Sequence, residues 1–395
     1  MPAVTVDEAL ARLKAAADLT DGHPMALHYA GGRILARPVT ASRNQPPTAV
    51  SAMDGYAVAS EAKVLKLVGE SRAGAMFAGA IAGDQAVRVF TGAVVPQGTI
   101  AVVLQENATN EQGWVAVHAT SAKSHLRSTG EDFKKSDQLL SAGARLDALN
   151  LALAASAGEA EVWVRKCPKV AIIASGTELV RSGVIIRDDQ AYEAALAPLS
   201  RLVALWGGEI TGTHLVGDDP RSLASMIANA GADIVVTVGG ASVGDYDFVH
   251  PALAELGVTY VFDGIAMRPG RPTLFGKLKD GASLLGLPGN PGTALMVAHL
   301  FLKPYLAACQ GARAPRAIPL PTFDPLPPNL LGQDLFSRAT YWDDERRGRG
   351  VVLSPDQDAS LIGGLARADG VIRRPAGSAS CEPGEIVPFY AFDRA

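Results

Sequence analysis

Three glycine-rich loops have the composition of an oxyanion-binding site. They are Ser175-Gly176-Thr177-Glu178, Gly239-Gly240-Ala241-Ser242-Val243-Gly244 and Pro288-Gly289-Asn290-Pro291-Gly292. Each follows a short apolar run, so backbone N–H groups at the start of the next element can point at an anion. One such loop is most often only a tight turn. Three at the same edge of a sheet predict a site for a phosphate or another oxyanion.

Two arginines stand close to these loops in the segment Met267-Arg268-Pro269-Gly270-Arg271-Pro272. The prolines stiffen the backbone, and two guanidiniums can fork onto oxyanions. Taken alone, the segment is equally typical of a solvated turn.

Acidic residues gather at turn positions along the chain. Singly, such residues are commonly helix caps or Asx turns. If several converge on an anion cradle, a cation must bridge them, and Mg²⁺ prefers a few carboxylates together with substrate phosphates. The acidic residues at turns are Asp54, Asp132, Glu178, Asp218, Asp219, Asp245 and Asp247.

Several familiar motifs are missing from the sequence. It has no GxxxxGK[ST] loop, no GxGxxG directly after a strand and no GxSxG elbow, so kinase-like, dinucleotide-binding and triad-hydrolase readings lose their usual support. The seven histidines are scattered, with no pair at metal-ligand spacing. The three cysteines form no CxxC pair, which indicates reduced thiols rather than a zinc knuckle.

Composition indicates a globular protein of 395 residues with two or three domains. The 36 basic and 40 acidic residues give a net charge of −4, which argues against a nucleic-acid partner. An apolar fraction of 48% argues against disorder. The acidic N-terminus is not a signal peptide, and the apolar stretch 295–306 is interrupted and too short to span a membrane. We therefore expect a cytoplasmic protein with no membrane contact.

Residues 169–308 alternate between apolar strand-like runs and helical patterns, which predicts a doubly wound, mainly parallel α/β sheet. Strands are expected at 169–174, 209–216, 233–238, 258–262 and 283–287, and helices at 188–205, 248–256 and from Pro220 and Gly292. The first segment is helical, with capping-box spacing at Thr5–Glu8. Short apolar runs after Val39 predict a β domain. Six prolines in 314–328 predict a stiff linker before a small C-terminal β domain.

The order and spacing of these motifs resemble the molybdopterin molybdenumtransferase family, the MoeA proteins and the gephyrin E domain. The resemblance covers nearly the whole chain. The motifs are SAMDGYAV (51–58), TGAVVPQGTIAVVLQE (91–106), GEDFKKSDQLLSAGARL (130–146), IIASGTELV (172–180), TVGGASVGDYDF (237–248), AMRPGRP (266–272), GLPGNPG (286–292) and QDASLIGGLARADGVIRRP (357–375).

The resemblance implies four domains and an elongated homodimer. Residues 1–22 with 166–310 would form the α/β molybdopterin-binding domain, 23–48 with 133–165 a small α+β linking domain, 49–132 an inserted β domain, and 315–395 a C-terminal β-barrel-like domain. The β domain of one subunit would close the cleft of the other. The implied reaction inserts molybdate into adenylylated molybdopterin with Mg²⁺ and releases AMP and molybdenum cofactor. A molybdopterin adenylyltransferase or a molybdoenzyme is an implied partner.

The resemblance also implies which residues form the site. Asp54, Asp132, Glu178, Asp218 and Asp247 would be catalytic, and Glu178, Asp218 and Asp247 would hold the metal. Asp54 or a neighbouring carboxylate would orient the attacking oxygen. The implied substrate-binding residues are Thr91, Ser175, Gly176, Gly239, Gly240, Ser242, Arg268, Arg271, Pro288, Gly289 and Asn290.

Five departures from the family pattern leave alternatives open. The usual SGDEL is Ser175-Gly-Thr177-Glu-Leu here, so one carboxylate is replaced. The usual YDSN is Arg187-Asp-Asp189-Gln190, and a lysine common in the family is Gly264. The usual TSGG is Thr237-Val238-Gly-Gly, and the GSG-like turn is Asp358-Ala359-Ser360. A weakened paralogue that binds or carries a molybdopterin species is therefore one alternative, and a gephyrin-like scaffold is a weaker one.

Overall fold

A computed structural model of the protein describes residues 2–240 and 247–394. Helices and strands are numbered in chain order. The first part of the chain contains α1 (Val6–Ala15), β1 (Gly22–Ala26), β2 (Val39–Thr40), β3 (Val50–Ser51), β4 (Gly55–Val58), β5 (Val64–Ser71), β6 (Gln85–Val89), β7 (Ala101–Leu104), β8 (Ala108–Glu111), β9 (Trp114–Val117), β10 (Leu126–Arg127), β11 (Gln138–Leu140), α2 (Ala148–Ser156) and β12 (Glu161–Arg165).

The second part begins with the central α/β region and ends in a group of longer strands. Its elements are β13 (Lys169–Ser175), β14 (Leu179–Val180), β15 (Ala191–Tyr192), α3 (Leu196–Leu205), β16 (Glu209–Val216), α4 (Pro220–Ala228), β17 (Ile234–Val238), α5 (Val249–Leu256), β18 (Thr259–Asp263), β19 (Met267–Arg268), β20 (Leu274–Lys277), β21 (Ser283–Leu287), α6 (Pro291–Val297), α7 (Lys303–Cys309), β22 (Ile318–Pro321), β23 (Asp334–Asp344), β24 (Gly348–Leu353), α8 (Ile362–Arg367), β25 (Gly370–Arg374) and β26 (Ile386–Ala391).

The α/β region is a six-stranded sheet in the order β16-β13-β17-β21-β20-β18. The first four strands are parallel, β20 is antiparallel to β21, and β18 is antiparallel to β20, so β20 alone runs in the opposite direction. Runs such as Ile234–Val238 are buried throughout because helices cover both faces. The predicted doubly wound, mainly parallel fold is confirmed. The predicted capping box at Thr5 is also present, with Thr5 Oγ1 accepting from the backbone N–H of Glu8.

Two predictions in this region are wrong in extent. The helix expected from residue 188 begins at Leu196, because Ala191–Tyr192 first pairs with Leu179–Val180 and the Glu193 carboxylate then accepts from the N–H of Leu196.

The apolar stretch that the sequence predicts to be too short to span a membrane belongs to a 19-residue helix, Pro291–Cys309. A π-helical turn over Ala298–Leu302 lies directly before Lys303-Pro304, and the helix continues through it. Two thirds of its most apolar window are buried inside the protein, which is typical of a core helix.

The β region is a six-stranded sheet in the order β7-β4-β6-β5-β9-β8. It is inserted in the chain between two pairs of antiparallel segments, β2 with β11 and β3 with β10. Strand β4 of this sheet begins at Gly55, where a Cβ atom would lie 2.0 Å from the backbone oxygen of Val103. Only glycine fits at that position.

The C-terminal strands form a sheet in the order β19-β23-β25-β26-β22, with β24 paired to β23. A β-bridge between Thr322, directly after β22, and Val351 of β24 joins the last strand of this order to β24, so the sheet closes into a barrel-like form. The predicted linker is therefore wrong in part, because Ile318–Pro321 is a strand of this sheet. Its prolines are tolerated because β22 pairs along its length with β26 alone.

Hydrophobic cores divide along the same lines. Separate clusters lie in the linking region (Leu35, Leu146, Val164) and the β region (Leu65, Val87, Val115). The main α/β cluster also takes in Phe336 and Val371 of the C-terminal strands, whose other apolar residues form a cluster of their own. Arg373 joins two of these regions: its guanidinium donates to Asp7 at 2.7 Å and to Asp334 at 2.6 Å. These cores support the four-domain division, whose boundaries stay a prediction.

Replacing Gly55 by alanine is expected to destabilise the β domain selectively, by about 3 kcal/mol, because a backbone carbonyl cannot move aside cheaply. Hydrogen-exchange mass spectrometry over residues 55–117 measures this domain separately from the others. Gly83→Ala is the matched control, since its nearest neighbour would be 3.9 Å away, and it should change stability by no more than about 0.5 kcal/mol. Equal protection of the two variants would contradict the steric explanation.

Candidate active site

The carboxyl ends of the parallel strands bring the three glycine loops to one edge of the sheet. Strand β13 is followed in the chain by β16 on one side and then by β17 on its other side. The crevice between the ends of β13 and β17 is therefore a topological switch point, the usual ligand position in such sheets. Ser175 ends β13, and Gly239 follows β17 directly. The convergence predicted for these loops is what the structure shows.

The loops touch one another through their backbones. A Cβ atom on Gly239 would lie 2.7 Å from the carbonyl oxygen of Ser175, and one on Gly289 would lie 3.2 Å from the Cα of Gly239. Gly240, with φ of 70°, leaves equally little room, since its Cβ would meet Val249 at 2.9 Å. These glycines are needed for the close approach of the three loops as well as for their turns.

Two hydroxyl groups at this edge are buried without a hydrogen-bond partner among the described residues. They are Ser175 Oγ and Thr237 Oγ1, on residues that are 7% and 1% exposed. Ser175 Oγ lies close to Gly240, at 3.0 Å from the position of a Cβ there. Since buried polar groups are normally paired, a bound ligand is the natural partner of the Ser175 hydroxyl.

Asp218 and Glu178 lie beside the first loop. The backbone N–H and the hydroxyl of Thr177 both donate to Oδ2 of Asp218, at 3.1 and 2.6 Å. The Glu178 carboxylate curls over Gly176, where a Cβ would be 2.7 Å from its Oε2. Thr177 stands where the family pattern has a second carboxylate. It therefore donates hydrogen bonds to Asp218, where the usual residue would place a second negative charge beside it.

Asp54 and Thr91 form a similar pair in the β domain. The backbone N–H and hydroxyl of Thr91 donate to Oδ1 of Asp54 at 2.7 and 2.8 Å, leaving Oδ2 without a protein partner in the described chain. These bonds hold the pKa of Asp54 below its ordinary value, with a smaller contribution from the charge of Arg88. No hydrogen bond among the described residues links this pair to the α/β domain of the same chain. The structure brings Asp54 to Thr91 but not to the glycine loops.

Asp247 is engaged by a histidine. Its Oδ1 accepts from the backbone N–H of His250 at 3.1 Å, and its Oδ2 contacts His250 Nδ1 at 2.6 Å. On the other side of the ring, Nε2 lies 3.1 Å from Asp263 Oδ1. Burial lowers the pKa of His250, but the hydrogen bond to Asp263 and the charges of both aspartates outweigh it and raise that pKa overall.

Sequence reasoning missed His250 and Asp263 because it searched for histidine pairs. The available signal was an aspartate three residues before a histidine at a helix start, which is the spacing of a helix cap. Tyr260 stacks on the ring at 6.0 Å, and burial together with the charges of Asp263 and Asp247 raises the pKa of Tyr260 to about 12.

The remaining predicted residues lie as follows. Arg268 and Arg271 are exposed, and neither guanidinium hydrogen-bonds to a protein group in the part of the chain that the structure describes. Asn290 caps α6, its Oδ1 accepting from the N–H of Thr293 at 3.0 Å, and Pro288 is buried beside it. Asp132 is exposed at the C-terminal boundary of the β domain. Ser242, and Asp245 with it, lie outside the described residues.

Other departures from the family pattern have local structural explanations. Arg187 pairs with Asp189 at 2.9 Å. Gly264 has φ of 94°, a conformation in which a lysine would be strained. The Asp358 carboxylate accepts from the N–H and hydroxyl of Ser360, which holds the turn that carries Ala359 against α6.

Family models match three consecutive parts of the chain. Residues 4–158 match the MoeA N-terminal region (domain I and II), residues 171–308 a probable molybdopterin binding domain, and residues 330–392 the MoeA C-terminal region (domain IV). Together they cover most of the sequence.

Relatives and solved structures agree with these matches. The chain is 37% identical over 295 residues to a molybdopterin molybdenumtransferase of Haemophilus influenzae, covering 73% of this chain and 72% of the relative. It is 31% identical over 407 residues to that of Bacillus subtilis, covering 97% and 93%. A crystal structure of the molybdopterin biosynthesis MoeA protein from Pyrococcus horikoshii superposes with a TM-score of 0.84 at 25% identity, covering 99% of this chain and all of that one.

Thr177→Asp is expected to lower the melting temperature of the α/β domain in low-salt buffer. It removes the hydroxyl bond to Asp218, leaves the backbone N–H bond, and places a carboxylate against Asp218, at a cost of about 1 kcal/mol. Millimolar Mg²⁺ should restore the loss if these carboxylates share a cation. Differential scanning fluorimetry with and without Mg²⁺ measures both effects. Thr177→Ser keeps the hydroxyl donor and is the control; a Thr177→Asp variant as stable as this control without Mg²⁺ would count against the pairing.

Proposed function

Because the chain belongs to the molybdopterin molybdenumtransferase family, we propose that it inserts molybdate into adenylylated molybdopterin and releases AMP and the molybdenum cofactor. The observation that carries this proposal is the glycine-loop cradle at the switch point, where the Ser175 hydroxyl is buried with no hydrogen-bond partner among the described residues. It lies within residues 171–308, which match the probable molybdopterin binding domain.

The cradle suits a phosphate-bearing ligand for a physical reason. Attack on a phosphoanhydride requires positioning and neutralisation of negative charge, and little covalent chemistry from the protein. The N–H of Gly240 and the Ser175 hydroxyl have no partner among the described residues and can donate to a ligand, whereas the N–H groups of Gly176 and Gly239 already donate to the carbonyls of Val216 and Leu287. The exposed guanidiniums of Arg268 and Arg271 supply positive charge without a competing protein partner in the described residues.

Mg²⁺ fits the carboxylates at the first loop. Glu178 and Asp218 are hard oxygen donors next to the cradle, and Asp218 Oδ1 has no protein partner among the described residues. The described residues assemble no group of three His, Cys, Asp or Glu ready to hold a metal. Mg²⁺ commonly binds through one or two carboxylates plus substrate phosphates, so two suffice. When bound, the ion would neutralise phosphate charge. Asp247, whose oxygens already contact His250, would lie near the ion without coordinating it directly.

A homodimer would complete the site. Asp54 and Thr91 belong to the family's cleft, yet in this chain they lie in the β domain, without a hydrogen bond to the α/β domain among the described residues. Asp54 Oδ2 is free to accept a proton or orient an attacking oxygen, while Thr91 fixes the other oxygen. We assign this role to Asp54 of one subunit acting on substrate held by its partner. Asp132, at the C-terminal boundary of the β domain, would belong to the same edge.

The protein's setting follows from the proposed reaction. A cytoplasmic location fits a biosynthetic enzyme, and the adenylylated substrate requires a molybdopterin adenylyltransferase upstream. A molybdoenzyme would receive the product.

Purified protein given adenylylated molybdopterin, Mg²⁺ and molybdate should release AMP, measured by chromatography. Asp54→Asn should lower the rate by roughly a hundredfold or more because an orienting base is lost. Asp84→Asn, an exposed carboxylate of the same β domain, is the control and should leave the rate unchanged. Tight substrate binding with no AMP release by the native protein would instead support the carrier alternative.

Mixing two inactive variants tests the shared site. Asp54→Asn and Asp218→Asn homodimers should each be inactive, whereas subunits exchanged at equal ratio should regain about a quarter of native activity, since half the dimers carry one intact composite site. Sedimentation analysis establishes the dimer in the same samples. No recovery, with subunit exchange shown by mass tagging, would place Asp54 and Asp218 in the same subunit's site.

A further inference from the structure

Asp247 stands at the junction between the cradle and α5. The backbone oxygen of Gly240 accepts from the N–H of Phe248 at 3.2 Å, and Val249 packs against Gly240. Any rotation of the Asp247 side chain therefore takes place beside the second glycine loop. What holds this carboxylate decides which way its oxygens face.

Among the described residues, His250 contacts both carboxylate oxygens of Asp247. His250 donates its backbone N–H to Oδ1 and presents ring Nδ1 to Oδ2 at 2.6 Å. The side chain of Asp247 is 23% exposed and that of His250 34% exposed, so both groups of this pair are partly withdrawn from solvent.

The ring itself is held from its far side. Nε2 of His250 lies 3.1 and 3.2 Å from the two oxygens of Asp263, the last residue of β18. Carboxylate oxygens can only accept, so both ring nitrogens act as donors in this arrangement. Tyr260 stacks on the ring at an interplanar angle of 27° and limits its rotation.

We propose that His250 is the positioning residue of Asp247: its Nδ1 fixes the aspartate beside the cradle, and Asp263 fixes the ring. The proposal rests on the proposed function, because Asp247 is assigned to the site through that function.

Two isosteric variants separate the two bonds of the ring. In His250→Asn the amide nitrogen lies near the position of Nδ1 and can still donate to Asp247. In His250→Gln it lies near the position of Nε2 and can donate only to Asp263. Each variant keeps one of the two ring contacts, so the two should melt at similar temperatures.

The measurement is steady-state AMP release at saturating Mg²⁺ and molybdate. His250→Asn should stay within about threefold of the native kcat, and His250→Gln should lose roughly ten- to a hundredfold in kcat with little change in KM. His28→Gln, in the linking region, is the surface control. Asp263→Asn, which keeps an oxygen acceptor for the ring, should behave like His250→Asn.

Equal kcat values for His250→Asn and His250→Gln, in an active native background, would overturn the positioning role. A native protein that releases no AMP would instead refute the proposed function, so the two failures are distinguishable. If His250→Gln fails to fold, a native-like kcat for His250→Ala, which removes both ring contacts, would overturn the proposal.

Discussion

Backbone contact between three loops is the constraint on which the site depends. Gly239 lies against the carbonyl of Ser175, where a side chain has no room, and Gly289 lies against Gly239, where a Cβ would fit only if the backbone shifted by a few tenths of an ångström. Parallel strands in register bring the loops together, and helices on both faces make the sheet long-lived enough to hold them. A ligand at this edge meets donors whose positions are set by the sheet rather than by flexible side chains, so little ordering is required when it binds.

The site's aspartates share a second organising feature. Asp54 and Asp218 each use one carboxylate oxygen to accept two bonds from a threonine, and the other oxygen has no hydrogen-bond partner among the described residues. Asp247 differs, since His250 takes both of its oxygens. The three carboxylates are thus oriented by local donors before any cation or substrate arrives. Thr177 shows that one change from the family pattern can strengthen this orientation while removing a charge.

The sequence predicted the sheet and the meeting of the loops because both follow from local pattern. Alternating strands and helices fix a parallel sheet, and glycines after consecutive strands must reach the same edge. The failures have equally physical causes. Prolines at 319 and 321 were compatible with a one-sided edge strand, and Pro304 did not end a helix that a π-helical turn carries past it. The His250 cluster depends on Asp263, thirteen residues away on another strand, and no spacing rule joins them.

The chain enters and leaves the β domain side by side. The entering and leaving segments pair at Val39–Thr40 with Gln138–Leu140, at Gln45 with Phe133, and at Val50–Ser51 with Leu126–Arg127. Because the ends of the inserted segment lie against each other, the β domain can unfold without separating the segments on either side of it.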